Sequence, residues 1–493
     1  MMLLQTLLER IEREGLVLAT QGSFDDKFID HLANDSRAVG PGSLFVAIRG
    51  EQADGHLFID KAVKNGAIAV VCEALPERSD LDLSGTALVQ VADSRAALAE
   101  LAAAFYGDPS RTLKMVGVTG TNGKTTTAFL VHHLLSGLMG KTGLIGTIAT
   151  IIDGRRVESS MTTPDTVDLN RLLRKMSDAG CAACAMEVSS HALDQQRVRS
   201  VDYDVAIFTN LTQDHLDYHK TLDHYLASKK RLFDGLDTEA FALYNIDDPA
   251  GARMVQDTRA KVISYGRSTD ADIRIEVIDN PLDGLLLRID GAERKFKLVG
   301  LFNAYNLAAA YGSGRALGYG RDEVLDILAE AGPVRGRFEQ VQFEGGTTAV
   351  IDYAHTPDAL ENVLTTIRET KPPSATLWCL FGCGGDRDAA KRPIMGRIAE
   401  TYADRVIVTS DNPRTEAPSA IMEDIRHGMR SPEQAIWIED RREAIRWAAR
   451  HVQPGDVLLV AGKGHETYQI VGTEKRHFDD REEVEKSFSS VFR

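Results

Sequence analysis

At 493 residues the chain is too long for one hydrophobic core, and a prior of about 150 residues per domain predicts three. Its make-up, 43% hydrophobic and 26% charged, is that of a soluble globular protein without a tract biased enough for disorder. A formal charge of −15 argues against a nucleic-acid or anionic-membrane binder, so an anionic substrate would need local clusters of Arg and Lys.

No apolar run approaches a membrane span. Leu4, Leu7, Leu8 and Ile11 form a helical stripe broken by Glu9 and Arg10, which is unlike a signal peptide. Five cysteines, an odd number, do not suggest a disulfide framework. Cys181 and Cys184 form a C-x-x-C that leads into an apolar strand with no second pair, so they read as small buried residues. A reduced, cytoplasmic protein is expected.

In chain order, residues 1–93 read as a small α/β domain. A helix opens it, and strands are expected over 44–48 and 67–71 with a helix near 59–65. Asp35-Ser36-Arg37 precedes a Pro-Gly turn and, taken alone, reads as a solvated turn. Residues 94–337 form the largest block. A helix over 96–106 comes first, and strands over 144–147, 182–188, 205–208, 241–244 and 262–264 alternate with helical stretches, the pattern of a largely parallel sheet. Residues 272–299 instead alternate with period two around Asp283-Gly284 and Asp290-Gly291, as in β-hairpins. Residues 338–493 alternate again, with strands over 349–353, 377–381, 405–408 and 457–461, and read as a Rossmann-like domain.

The stretch Lys114–Thr127 organises the rest. Met115, Val116 and Val118 form a short apolar run that breaks at Gly120 and Gly123 and passes through Lys124, Thr125 and Thr126 into a helical pattern. Strand, glycine loop and helix in that order turn several N–H groups and the positive end of a helix toward one anion. Lys124 can reach terminal phosphates, and a Thr hydroxyl can ligate Mg²⁺. Val118 stands where the strict pattern has its first glycine, so this is a shortened variant of a nucleotide-phosphate loop.

Glu187-Val-Ser-Ser-His191 and Asn210-Leu-Thr-Gln-Asp-His215 each follow a strand, which brings them to the same sheet edge as the loop. A Glu, a His and a Thr beside nucleotide phosphates are the parts of a Mg²⁺ site. His215 and His219 have the spacing of a zinc pair, but Leu216 stands where a zinc protease has its Glu. Lys229-Lys230-Arg231 alone reads as a basic solvated helix face.

Together these motifs resemble the Mur ligase family of cell-wall synthesis over essentially the whole chain, and within it the members that add the third residue of the stem peptide. The resemblance rests on Asp35–Arg37, Gly120–Thr126, Thr162-Thr163-Pro164, Glu187–His191, Asn210–His215, Gly336-Arg337, Asp352-Tyr-Ala-His355 and Gly462-Lys-Gly-His-Glu466. It implies a uridine-nucleotide domain over 1–93, a central P-loop ATPase-like domain over 94–337 and a C-terminal amino-acid-binding domain over 338–493. Ser36, Glu51, Gln52 and Ala53 would meet the uridine diphosphate, and Thr162, Thr163, Ser189, Gln195 and Arg197 the sugar-peptide and its phosphates. ATP would lie on Gly120, Thr121, Asn122, Gly123, Lys124, Thr125 and Thr126, with Asn303, Arg337 and Asp352 behind it. Mg²⁺ would take Thr125, Glu187, His215 and Lys229, the last as a carbamate, and Lys124, Lys229 and His215 would be the catalytic side chains.

The same resemblance implies an acyl-phosphate route joining an amino acid to UDP-MurNAc-L-Ala-D-Glu, in a monomer with no nucleic-acid partner. Members adding meso-diaminopimelate carry Asp411-Asn412-Pro413-Arg414, whereas lysine-adding members lack its Arg. A guanidinium fork suits the extra carboxylate of diaminopimelate. Arg387, Gly462 and Glu466 match the other diaminopimelate positions. An L-lysine-adding ligase is the alternative.

Overall fold

A computed structural model describes residues 1–50, 53–75, 85–157 and 161–489. Three main sheets follow one another along the chain, beside two two-stranded pairs. The first has strands β1 (Val17–Gln21), β2 (His31–Ala33), β3 (Ser43–Val46), β4 (Ala67–Cys72) and β5 (Ala87–Val91) in the order β1-β5-β4-β3-β2. All neighbours are parallel except β1 with β5. Helix Leu4–Arg13 buries Leu4, Leu7, Leu8 and Ile11, the stripe read from the sequence. Helix Ser94–Phe105, expected at the head of the central block, sends Ala97, Leu98, Leu101 and Ala102 into this same first core.

The central sheet has eleven strands. They are β6 (Lys114–Thr119), β7 (Thr142–Ile145), β8 (Thr150–Ile152), β9 (Arg155–Val157), β10 (Ala183–Glu187), β11 (Val205–Phe208), β12 (Phe241–Asn245), β13 (Lys261–Gly266), β14 (Ile273–Asp279), β15 (Leu285–Ile289) and β16 (Ala292–Phe296). Their order is β9-β8-β7-β10-β6-β11-β12-β13-β14-β15-β16. Because β6 lies between β10 and β11 and all three are parallel, Glu187 comes beside Val118 and Phe208 beside Thr119. Three chain segments therefore leave the sheet together at one edge. The expected hairpins over 272–299 form, and they extend this sheet through the parallel pair β13–β14. Helices Lys124–Met139 and Leu301–Ala316 share one core, with Ala128, Val131, Ala304 and Ala308 fully enclosed.

The third sheet has strands β17 (Glu339–Gln342), β18 (Thr348–Asp352), β19 (Leu377–Phe381), β20 (Arg405–Val408), β21 (Ile436–Trp437) and β22 (Val457–Ala461), in the order β17-β18-β22-β19-β20-β21. Only β17 is antiparallel to its neighbour. The central strands are near-continuous apolar runs because helices cover both faces. Asp352 ends a parallel strand, and Gly382, Asp411 and Gly462 follow the C-terminal ends of three others, where ligands bind on such sheets. Gly336 joins the second sheet to the third with φ of +66°, and a Cβ there would stand 2.1 Å from the His465 nitrogen, so no other residue fits.

Cys181 and Cys184 are buried free thiols, as the sequence reading expects. Among the described residues no helix is long and apolar enough to cross a membrane.

Candidate active site

The glycine loop lies between β6 and helix Lys124–Met139. Gly120 has φ of +151°, and a Cβ there would fall 1.9 Å from the Thr209 hydroxyl oxygen. The loop is also tied to the segment after β11: Thr121 N donates to Asn210 O at 2.8 Å and Asn122 N to Asn210 Oδ1 at 2.9 Å. Lys124 Nζ folds back onto the loop and donates to Gly120 O at 2.9 Å and Thr121 O at 2.7 Å. Burial lowers its pKa. Thr125 and Thr126 stand in the first helical turn, whose N–H groups have no partner within the helix.

Glu187, only 1% exposed, is the centre of the oxygen cluster beside this loop. Its Oε2 accepts from Thr125 Oγ1 at 2.9 Å and Thr147 Oγ1 at 3.1 Å, and its Oε1 from Thr147 N at 2.8 Å. Thr162 Oγ1 lies 3.0 Å from Thr147 Oγ1, and Thr163 Oγ1 donates to Glu187 O at 2.8 Å. One carboxylate and a threonine hydroxyl beside a phosphate loop fit Mg²⁺, which keeps few protein ligands and completes its shell with phosphate and water oxygens. No group of three or more His, Cys, Asp or Glu side chains meets in metal-ligand geometry among the described residues.

The basic run 229–231 divides. Lys229 is 1% exposed, donates to Gly120 O at 2.7 Å and stands over the Tyr225 ring at 4.3 Å. Burial, then the nearby Lys124 charge, pushes its pKa well below the lysine range. Lys230 instead pairs with Asp234 and Asp257, and Arg231 with Asp194, as a solvated face does. His215 has φ of +52° and lines the phosphate cavity, where burial lowers its pKa. His219 lies behind it, its Nε2 2.9 Å from Ser190 Oγ, buried and held down to about 4 by desolvation. Its ring nitrogens are taken by serines, which disposes of the zinc-pair reading.

Asn303, Arg337 and Asp352 meet where the second and third sheets join. Asn303 Nδ2 donates to Val299 O at 2.7 Å, and its Oδ1 accepts from Asn306 Nδ2 at 3.0 Å. Arg337 Nη2 reaches Thr125 Oγ1 at 3.3 Å, and its guanidinium stacks 4.7 Å from the Tyr353 ring centre. Asp352 accepts from Phe338 N and Ala354 N, each at 2.7 Å, and burial raises its pKa.

The third sheet contributes a cavity of about 750 Å³ that adjoins the phosphate cavity of about 710 Å³; His355 and Arg387 line both. Asp411, Asn412, Arg414, Gly462 and Glu466 line the former. Arg414 has φ of +51°, and its Nη1 donates to Gly385 O at 2.7 Å; the Pro413 carbonyl caps the turn by accepting from Glu416 N at 3.1 Å. Asn412 Nδ2 donates to Glu466 Oε2 at 2.9 Å. On the other side, a cleft of about 680 Å³ at the first sheet includes Ser36, Ala53, Gln195 and Arg197, and Met161 and Arg197 also line the phosphate cavity. Arg197 Nε donates to Gln195 Oε1 at 2.9 Å, and Ser189 Oγ caps the helix Ser190–Asp194. Glu51 and Gln52 lie outside the described residues.

Several site side chains carry no individual role in the sequence reading, although His355 and Lys463 fall within motifs that carry the resemblance. Thr147 follows β7 at the same sheet edge, a position that marks it only once the strand order is known. His355 Nδ1 lies 3.0 Å from Tyr353 O, so that nitrogen carries the proton, and burial holds the ring neutral with its pKa lowered to about 4. Lys463, 0% exposed, reaches Asn412 Oδ1 and Glu466 Oε2, each at 3.1 Å. Its place between two glycines after a strand was the available signal.

Three α/β sheets in series, with a glycine loop at the joint and clefts on either side of it, define a modular nucleotide-phosphate-binding architecture. The chain belongs to the Mur ligase family. The family's middle domain matches residues 118–314, its glutamate ligase domain 336–464, and the Mur ligase family catalytic domain 28–106. The UDP-N-acetylmuramoyl-L-alanyl-D-glutamate--2,6-diaminopimelate ligase of Parabacteroides distasonis is 46% identical over 468 residues, covering 94% of this chain and 96% of the relative. The protein of the same name from Cytophaga hutchinsonii is 48% identical over 450 residues, covering 91% and 92%. A solved structure of a ligase of that name superposes with a TM-score of 0.69 at 32% identity, covering 97% of this chain and 98% of the other.

Proposed function

We propose that this chain is an ATP-dependent amide ligase that joins meso-diaminopimelate to UDP-N-acetylmuramoyl-L-alanyl-D-glutamate in peptidoglycan precursor synthesis. The observation that carries the reading is the run of three adjoining cavities. One lies by the first sheet, one at the glycine loop and one walled by Arg414 and Glu466. The names of the relatives agree with it. The division of labour follows: uridine nucleotide on the first domain with the helix after residue 93, ATP on the central domain to residue 337, and the incoming amino acid on 338–493.

A carboxylate and an ammonium do not condense unaided, so the acid is activated. An oxygen of the D-glutamate side-chain carboxylate attacks the γ-phosphorus of ATP, the bond to the bridging oxygen breaks, and ADP leaves. The amine nitrogen then attacks the acyl-phosphate carbon, the C–N bond forms, phosphate departs and the nitrogen loses a proton. Lys124 neutralises charge on the transferred group, and Arg337, bridging Thr125 and Tyr353, fixes the third domain against it. Thr125, Glu187, His215 and Lys229 as a carbamate would hold Mg²⁺, which supplies charge neutralisation at the phosphate oxygens. Ser36, Ala53, Thr162, Thr163, Ser189, Gln195 and Arg197 would hold the nucleotide substrate. A monomer working in the cytoplasm completes the reading.

The test is phosphate release by the purified protein with ATP, Mg²⁺ and the UDP-muramoyl dipeptide, with meso-diaminopimelate or L-lysine as acceptor. Release that needs diaminopimelate supports the reading. Preference for lysine replaces it with the lysine-adding alternative, and turnover with neither acceptor overturns it.

A further inference from the structure

Lys463 is buried without any exposure directly behind the wall of the third-domain cavity. It follows β22 and Gly462, and its Nζ stands 3.1 Å from Asn412 Oδ1, 3.1 Å from Glu466 Oε2 and 3.5 Å from Asp411 Oδ1. Burying an ammonium is costly unless partners surround it, and these three partners all belong to the wall of one cavity. Resting on the function proposed above, we infer that Lys463 is a positioning residue that sets the amino-acid selectivity of this cavity through orientation and charge.

The orientation argument follows hydrogen-bond polarity. An ammonium only donates, so the Asn412 atom facing it is the amide oxygen; Ile470 N donates to that same oxygen at 3.0 Å. Both bonds fix the amide flip, and Nδ2 is left to donate to Glu466 Oε2 at 2.9 Å. Oε2 thus takes two donors from inside the protein, and Glu466 Oε1 is the oxygen left for an incoming ammonium. Gln469 Nε2 donates to Asp411 O at 2.7 Å and holds the start of the loop.

The charge argument is a count. Asp411, Arg414 and Glu466 line the cavity and Lys463 is buried directly behind them, so within this group of four the two carboxylates are balanced by two cations. The far end of diaminopimelate carries one ammonium and one carboxylate, also summing to zero. The far end of lysine is a bare ammonium. Removing the Lys463 charge makes this group one unit more negative, with the other charged side chains of the cavity unchanged, which shifts preference toward a cation and away from a zwitterion. Arg414 attracts the distal carboxylate, while Lys463 keeps Asp411 and Glu466 from over-rewarding a substrate that lacks one.

The experiment compares wild type with Lys463→Met, Lys463→Gln and Lys463→Arg, measuring kcat/KM for diaminopimelate and lysine and the KM for ATP. In the Met and Gln variants the diaminopimelate-to-lysine ratio is expected to fall at least tenfold through the amino-acid KM, with the ATP KM within threefold of wild type. Arg should restore most of the ratio, because it returns the charge. A folded Met or Gln variant that loses both amino acids equally overturns the inference and makes Lys463 a packing element. So does failure of both variants to melt cooperatively. A wild type that prefers lysine overturns the functional reading itself, and is told apart by needing no variant.

Discussion

Lys124 and Lys229 donate to a single acceptor, the carbonyl oxygen of Gly120, at 2.9 and 2.7 Å. Two ammonium groups on one oxygen repel each other, and burial adds its own penalty. Lys229 takes the larger adjustment, its pKa falling well below 10.5. A neutral amine at that place is the form that reacts with CO₂. Lys229→Ala should therefore cut turnover sharply, with partial rescue by short-chain carboxylates standing in for the carbamate. Lys230→Ala, which loses only partners on the solvated face, should behave as wild type. Full activity in Lys229→Ala would return the residue to a structural role.

The depressed pKa also gives stability a sign. In the window between the lowered folded value and 10.5, the unfolded chain binds the Lys229 proton and the folded protein does not. Unfolding free energy then rises with pH across that window. In CO₂-free buffer, the stability of wild type relative to Lys229→Met should increase as pH climbs toward 10.5. A flat difference would mean that Lys229 titrates normally.

Lys124→Ala should abolish ligation and leave the fold intact, since among the described residues the side chain hydrogen-bonds to the loop carbonyls of Gly120 and Thr121 and not to the core. Removing charge stabilisation at a transferring phosphoryl group costs roughly 3 kcal/mol or more in the transition state. Single-turnover phosphate transfer in a variant with an unchanged melting temperature is the check.

Arg441 and Asp480 form an ion pair with no exposure on either side. Arg441 Nη1 also donates to Ser410 O at 3.4 Å and Nη2 to Ala461 O at 2.9 Å. Those carbonyls immediately precede Asp411 and Gly462, so one guanidinium ties together the two loops of the amino-acid cavity. Breaking a buried pair from one side costs about 3–5 kcal/mol. Arg441→Met should lower the melting temperature and raise the amino-acid KM, with little change in ATP binding. Asp480→Asn, which keeps an acceptor oxygen, should do less of both.

Local pattern made much of this legible. The apolar runs of β19, β20, β11 and β22 are legible to the residue, because strands buried on both faces leave an uninterrupted signal. Short edge strands such as β9, with its sequence Arg-Arg-Val, carried none. Glu187 and Thr125 could be put at one sheet edge from the sequence, but their 2.9 Å contact needed the order in which β10 and β6 pair. Beside Lys230 and Arg231, Lys229 reads as solvated, and only the resemblance sets it apart. Its burial depends on Tyr225 and Gly120, which are near it in space and, for Gly120, remote in sequence. Lys463 stands within the Gly462–Glu466 motif that carries the resemblance, but its contacts with Asn412 and Glu466 depend on β20 and β22, which lie far apart in the chain.

Arg414→Ala should turn a diaminopimelate-selective enzyme into a poor and less selective one. The residue sits at φ of +51°, and its backbone is held on both sides: its N donates to Ile470 O at 3.1 Å and its O accepts from Gly472 N at 2.7 Å. Nη1 is spent on Gly385 O at 2.7 Å, while Nε and Nη2 have no protein partner among the described residues. That edge is the planar fork a carboxylate can take with two parallel hydrogen bonds. If the distal carboxylate of diaminopimelate sits there, truncation leaves a desolvated charge unpaired. The loss is about 2–5 kcal/mol, or roughly thirty- to several-thousand-fold in affinity. Lysine has nothing at that point, so its weak use should change far less, and discrimination should collapse through loss of the better substrate. Arg414→Lys should rescue little, since one ammonium cannot supply two parallel bonds and has no second arm for Gly385 O. The ratio of kcat/KM for diaminopimelate to that for lysine, in wild type and both variants, is the measurement. A ratio unchanged by Arg414→Ala would mean that the distal carboxylate is recognised elsewhere, with Arg387 the next side chain to replace because it lines the same cavity.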